Sequence, residues 1–376
     1  MTGKRKNIDV LIFVEDPGPA NFVSPVHVAL SNNGKSSIIL STGTALKFLS
    51  DRGIKTREID ANDSTEGILD ELAPKILLIG TAENPDSIGL KLIETARLKK
   101  IPTVGVIDAA ANARYRFRGR GDDPLAYVPD WILVPDDWTR DEYIRIGASP
   151  DRTVVCGHPH YDYVLGLSRT WTAQDREQMR ESLLPGLQKH QRVVVFLSEG
   201  SEGLRRLPPP TSPSEYTLQG RGNCTGRTEI IIEELLGAVQ TLPQRPYLVL
   251  RLHPKDRTDD FRAYAADFDH IDHASSPLEL VFCADLVVGM TSMLLMEAAL
   301  LGRRTLSILP RAVERDWLPI LRQGVTPCVM YRADLIKALA DLLRNGSSAP
   351  ADLCSGVPES SLARTVEFVE RLLAGA

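Results

Sequence analysis

The chain has 376 residues, 43% hydrophobic and 25% charged, with a formal net charge of −5. At roughly 100–200 residues per domain, this length suggests two domains with cores of ordinary size. The mild acidity argues against general affinity for nucleic acid or anionic membrane.

The five cysteines, Cys156, Cys224, Cys283, Cys328 and Cys354, are scattered and form no CxxC pair. Their odd number argues against a disulfide framework and against a zinc site, and fits a reducing cytoplasm. The opening MTGKRKNIDVLIFV carries an apolar run too short for a signal peptide or a membrane span. It reads as a first strand.

From there, short apolar, β-branched runs alternate with amphipathic stretches. Strands are expected at 9–14, 36–41, 75–80, 103–108, 131–135 and 153–157. Helices are expected at 25–33, 44–52, 85–99 and 139–146. The strand runs are apolar throughout, the mark of a parallel sheet covered on both faces. After a polar helical stretch near 170–190, a second series follows at 192–198, 247–252, 269–273, 284–289 and 304–309.

The expected fold is therefore α/β, with two tandem Rossmann-like doubly wound domains, 1–165 and 166–376, facing a cleft. Near the end, Leu362, Val366, Val369 and Leu373 have helical spacing; that helix either closes the second domain or crosses back to the first. Residues 198–229, rich in Pro and Gly, read as a long loop, either a lid or a disordered insertion.

Ligands of open α/β sheets bind beyond the carboxyl ends of the strands. In the second half, GMTSMLLMEA follows a strand, and Thr291 or Ser292 can cap the helix whose free N–H groups attract anions. Glu297 lies within that helix. An ordinary N-cap explains the pair about as well. In LRLHPKD, His253 and Pro254 end another strand, as a plain turn or as a strand tip holding a ligand. FLSEGSEG offers Ser198 and Gly200 at a third strand end.

In the first half, VEDPGPANF places Glu15 and Asp16 after the first strand, with Gly18 and Pro19 allowing a tight turn. IDAAANARYRFRGRGDDP carries Asp108 and a run of arginines, which suit an acidic or phosphorylated acceptor or a plain solvated loop; Asp108 and Arg116 are the candidate cleft residues. GHPHYDYV brings His158 and His160 to the expected domain boundary, as cleft residues or as turn residues. Two histidines alone do not make a metal site.

The second half resembles the donor domain of the GT-B glycosyltransferase superfamily. The likeness is to enzymes with cytidine-nucleotide donors, such as sialyl- and Kdo-type transferases and polyol-phosphate transferases. Their HP motif and later Ser/Thr motif would be His253-Pro254 and Thr291-Ser292 here. GHPHYDYV is similar to a linker motif of UDP-GlcNAc 2-epimerases on the same fold.

The resemblance implies an inverting, metal-independent transferase with no cofactor beyond a CMP- or UDP-linked sugar donor, acting on a saccharide or other hydroxyl acceptor. The donor would be held by Ser198, Gly200, His253, Pro254, Thr291, Ser292 and Glu297. Asp108, Arg116 and His158 would face the acceptor. Asp16, or Glu15, would deprotonate it; Pro17, interposed before Gly18, departs from the acid-pair–glycine pattern of those families. A UDP-sugar 2-epimerase, which needs more acids than these, and a non-catalytic nucleotide-sugar binding protein are the alternatives.

Overall fold

A computed structural model describes residues 5–80, 83–199, 216–224, 226–344 and 360–375. It divides into two compact units, the chain to Tyr163 with the C-terminal helix, and the residues from Val164 onward.

The first unit holds seven strands: β1 (Val10–Val14), β2 (Ser37–Ser41), β3 (Arg57–Glu58), β4 (Ile76–Gly80), β5 (Thr103–Val106), β6 (Trp131–Val134) and β7 (Thr153–Val155). They form one parallel sheet in the order 3-2-1-4-5-6-7. The unbroken apolar run of β1 follows from its place. Leu11 and Phe13 enter the core on one face, and Val10, Ile12 and Val14 the core on the other.

The second unit holds β8 (Val193–Leu197), β9 (Tyr247–Arg251), β10 (His270–Asp272), β11 (Leu286–Gly289), β12 (Thr305–Ile308) and β13 (Cys328–Val329). This sheet is also parallel, in the order 10-9-8-11-12-13. Both sheets are doubly wound. Their strand order reverses between β1 and β4 in the first and between β8 and β11 in the second, and such reversals leave a crevice at the strand ends.

Several elements differ from expectation. The first helix runs Pro17–Asn32 instead of beginning at residue 25. Pro17 is tolerated because the first helical turn has no intrahelical use for its N–H. Pro25 lies inside the same helix. The two-residue strands β3 and β13 are additional edge strands. The stretch read as a loop to residue 229 gives way earlier to a helix, Arg227–Val239.

The C-terminal helix Ser361–Gly375 packs on the first unit, where Val366, Phe368 and Val369 join the core beneath helix Pro17–Asn32. The Phe368 ring meets Trp131 at 5.3 Å, and the Leu362 N–H donates to Asp162 at 2.7 Å. In the second unit, Asp285 ties helix Ala173–Leu183 to the sheet. It accepts from Arg180 at 2.9 Å, Arg176 at 3.1 Å and the Val193 N–H at 2.8 Å. Burial raises the Asp285 carboxyl, but the Val193 N–H and the arginines outweigh it and hold it below the usual carboxylate range.

Candidate functional site

In the first unit, the ends of β1, β4 and β5 gather acidic groups around one buried cation. Asp108, just beyond β5, accepts from Arg116 Nη1 at 2.7 Å, with the two side chains 11% and 6% exposed. Arg116 also donates to the carbonyls of Ala109 and Ala111. Burial alone would lower the guanidinium; Asp108, Tyr143 and Glu83 overcome it and keep the charge in place. Arg116 is thus anchored on Asp108.

Glu83, three residues past the end of β4, joins this group. Asn112 donates to it at 2.8 Å. Its carboxyl is raised, chiefly by burial and further by Asp108 and Asp16, against the opposing pull of Arg116 and Asn112. Glu15 accepts from Asn84 at 2.5 Å, while its second oxygen is buried without a hydrogen-bond partner among the described residues. Asp16 precedes helix Pro17–Asn32 as its N-cap and accepts from Thr44 at 3.2 Å. The glutamates and aspartates of this group outnumber its one buried arginine, and a carboxyl with raised proton affinity beside one paired to arginine is an arrangement suited to proton transfer.

His158 packs among aromatic side chains. It is 4% exposed, stacked on Tyr161 at 4.5 Å and tilted against Phe22 at 5.0 Å. Burial, and secondarily His160, pushes its imidazole well below the usual histidine range. It is packed among aromatic rings, where burial disfavours the charged form.

In the second unit, His253 follows β9, Ser198 follows β8, and Thr291-Ser292 follow β11. These are three neighbouring strands in the order 9-8-11. The HPKD stretch closes as a turn, with the Asp256 N–H donating to the His253 carbonyl at 2.8 Å. Proline at the second position presets the backbone angle such a turn needs. The Ser198 hydroxyl links the strands. It accepts from the His253 N–H at 2.8 Å and donates to Asp256 at 2.5 Å.

Thr291 and Ser292 do stand at a helix start: Ser292 caps helix Met293–Leu300, its hydroxyl accepting from the Leu294 N–H at 3.3 Å. Their backbone is not open to an external anion, however. Glu199 Oε1 accepts from the N–H groups of Met290, Thr291 and Ser292 at 3.0, 2.5 and 2.8 Å. Glu199 Oε2 accepts from the Thr291 hydroxyl at 2.8 Å and from Arg227 at 3.0 Å.

Arg227 is 5% exposed and also donates to the fully buried Glu314, which pairs in turn with Arg311. Burial would lower the Arg227 guanidinium; Glu199 and Glu314 hold it up. Neither Glu199 nor Arg227 was singled out from sequence, because Arg227 sat in an apparent loop and Glu199 has meaning only once β8 lies beside β11. Glu297 is buried on the same helix. Gly200 lies outside the described residues. Among the described residues, no group of three His, Cys, Asp or Glu is arranged to hold a metal ion, and no helix is long and apolar enough to cross a membrane.

No protein-family model matches the sequence, and no curated protein matches it either. Solved structures do match. UDP-GlcNAc 2-epimerase from Methanocaldococcus jannaschii, in complex with UDP-GlcNAc and UDP, is similar at TM-score 0.65 and 14% identity, over 97% of this chain and 100% of that one. UDP-GlcNAc 2-epimerase from Neisseria meningitidis, bound to UDP-GlcNAc, gives 0.62 and 15% over 98% and 100%. The wall teichoic acid polymerase TagF, solved with CDPG, gives 0.57 and 12% over 100% and 90%. At these identities the likeness is one of fold, and together with the two doubly wound parallel sheets it makes this chain a two-domain α/β protein of the GT-B type.

Proposed function

We propose that the chain is a GT-B glycosyltransferase that moves a sugar from a CMP-, CDP- or UDP-linked donor to a hydroxyl acceptor, by direct displacement with inversion and without a metal. The observation that carries this reading is the meeting of Ser198, His253 and Thr291-Ser292 on three adjacent strand ends at the sheet reversal of the second unit. In this reading the second unit holds the donor. The His253 imidazole and the start of helix Met293–Leu300 stabilise the phosphate as negative charge develops on it. The likeness to TagF adds support for a cytidine nucleotide.

The first unit holds the acceptor. Its hydroxyl oxygen attacks the donor carbon, its proton passes to a carboxylate, and the bond to the phosphate breaks with its electron pair leaving on phosphate oxygen. Asp16, or Glu15, is the proposed base. Glu83, whose carboxyl is raised by burial, is a third candidate.

One finding favours a second reading. A 2-epimerase needs several acids around one carbon, and Glu83 brings the group to Glu15, Asp16, Glu83 and Asp108 beside the fold of two UDP-GlcNAc 2-epimerases.

Titration calorimetry with CMP, CDP, UMP and UDP, on wild type and His253→Ala, tests the donor site. Binding of one nucleotide that is lost in the variant supports it, and absence of binding by all four refutes both enzymatic readings. UDP-GlcNAc incubated in D2O without acceptor then separates them. Deuterium at C2 of the sugar identifies an epimerase. Nucleotide release that requires an added acceptor identifies a transferase, and binding without turnover leaves a binding protein.

A further inference from the structure

The carboxylate of Glu199 occupies the place where the donor reading puts a phosphate. It collects three backbone N–H donors, one hydroxyl and one guanidinium. That set of donors is what a phosphate oxygen pair accepts from at a helix start. Its backbone is fixed separately, because the Thr228 hydroxyl donates to the Glu199 carbonyl at 2.8 Å. The side chain can therefore leave by rotation about its own bonds while β8 stays in place.

Charge points the same way. With Glu199 seated, the buried Arg227 has two carboxylate partners, Glu199 and Glu314. With Glu199 turned out to water it keeps one, and a buried charge that gives up a partner is costly unless another anion takes the seat. Arg311 is further confined by the rings of Tyr216 and Trp317, at 5.6 and 5.9 Å.

We infer that Glu199 is a resident stand-in for the phosphate of an incoming nucleotide. The phosphate would bind by replacing the Glu199 carboxylate on Arg227, the Thr291 hydroxyl and the N–H groups of Met290, Thr291 and Ser292. This inference rests on the donor reading above and adds Arg227 to the donor's ligands. It makes Glu199 an internal competitor that sets how tightly the nucleotide is held. A ligand that must wait for a minor, open state loses affinity in proportion to that state's population.

The test is calorimetry on the full chain with UDP and CDP, with uridine and cytidine as phosphate-free controls and with pyrophosphate as a base-free control. Glu199→Ala is expected to bind the diphosphate that wild type prefers about ten-fold more tightly or better, as expected if the open state is a tenth or less of the population. Affinity for the nucleoside should not change. Arg227→Lys is expected to weaken the diphosphate and spare the nucleoside. If Glu199→Ala fails to fold, Glu199→Gln, which keeps the shape and gives up the charge, takes its place with a smaller gain.

Equal or weaker diphosphate binding without Glu199, in a protein whose wild type binds it, overturns the inference and leaves the donor reading standing. Absence of nucleotide binding in every variant overturns the donor reading and the inference with it. Pyrophosphate bound as tightly as UDP and CDP by Glu199→Ala supports the exchange while removing base recognition from the donor reading.

Discussion

Gly18 and Asp108 share one small space. A Cβ on residue 18 would overlap the Oδ2 oxygen of Asp108 and stand 3.0 Å from its Cγ. The glycine that read as a turn residue is required because a carboxylate lies against the start of helix Pro17–Asn32. Asp108 cannot simply retreat, because its other oxygen holds Arg116. Gly18→Ala is therefore expected to destabilise the chain by about 2–4 kcal/mol, through overpacking and disturbance of the buried pair. Urea unfolding measures this, and a change under about 0.5 kcal/mol, the range of neutral surface substitutions, would refute the constraint.

Asp108→Asn removes one charge and keeps the shape. Arg116 is then a buried cation with its main counter-charge gone, and the expected loss is about 3–5 kcal/mol. Equilibrium denaturation of the variant should show the midpoint falling at unchanged slope. A small loss would mean that Glu83 takes over as the partner of Arg116.

Glu83 makes stability depend on pH in an uncommon direction for a carboxyl. Its folded-state proton affinity is raised above the ordinary glutamate value of 4.5, so the folded chain holds the proton longer than the unfolded one does. Its contribution is full below 4.5 and is lost as pH rises through the elevated folded value. Glu83→Gln should relieve this penalty, and the variant should gain stability relative to wild type as pH rises through that window. Thermal unfolding at a series of pH values provides the comparison, and parallel curves for the two proteins would exclude the effect.

Asp285 has the opposite sign. Its carboxyl is depressed below 3.8, so the stability it confers is present above 3.8 and disappears as pH falls through the lower folded value. Asp285→Asn should flatten the acid limb of the stability curve. It should also loosen helix Ala173–Leu183, which Arg176 and Arg180 fasten to the sheet. Hydrogen exchange at the Val193 N–H, which donates to Asp285, reports this directly; unchanged protection there would count against the anchor.

Ser198 and Asp256 orient His253 without themselves needing to meet a ligand. Asp256→Ala removes an acceptor shared by the Ser198 hydroxyl and, at 3.2 Å, the His253 N–H. The expected loss of stability is about 1.5–3 kcal/mol, as for a broken hydrogen bond to a carboxylate. If His253 serves the nucleotide, affinity should fall as well. Stability loss with nucleotide affinity intact would make the turn purely structural.

Strands were legible where burial on both faces writes an unbroken apolar run, as in VLIFV, ILLIG and VVVFL. The edge strands β3 and β13 are two residues each and leave no such trace. Proline hid the start of the first helix, because the same residue that ends strands also suits a first helical turn. Of the site, strand-end positions were readable: Asp16, Asp108, His253 and Thr291 all follow strands. Their partners were not. Pairing Asp108 with Arg116 needs the path of the loop between them, and pairing Glu199 with the N–H groups past β11 needs β8 and β11 to be neighbours across a reversal in strand order. Glu83 carried no pattern at all, since its character comes from being enclosed.

The return of helix Ser361–Gly375 to the first unit has a consequence for synthesis. The core that Val366, Phe368 and Val369 complete is built around strands made much earlier, with the whole second unit translated in between. On the ribosome, the second unit can close while the first still exposes apolar surface beside Trp131 and helix Pro17–Asn32. During that interval the nascent chain is a natural client for chaperones, and a stop codon placed before residue 361 would leave it one permanently.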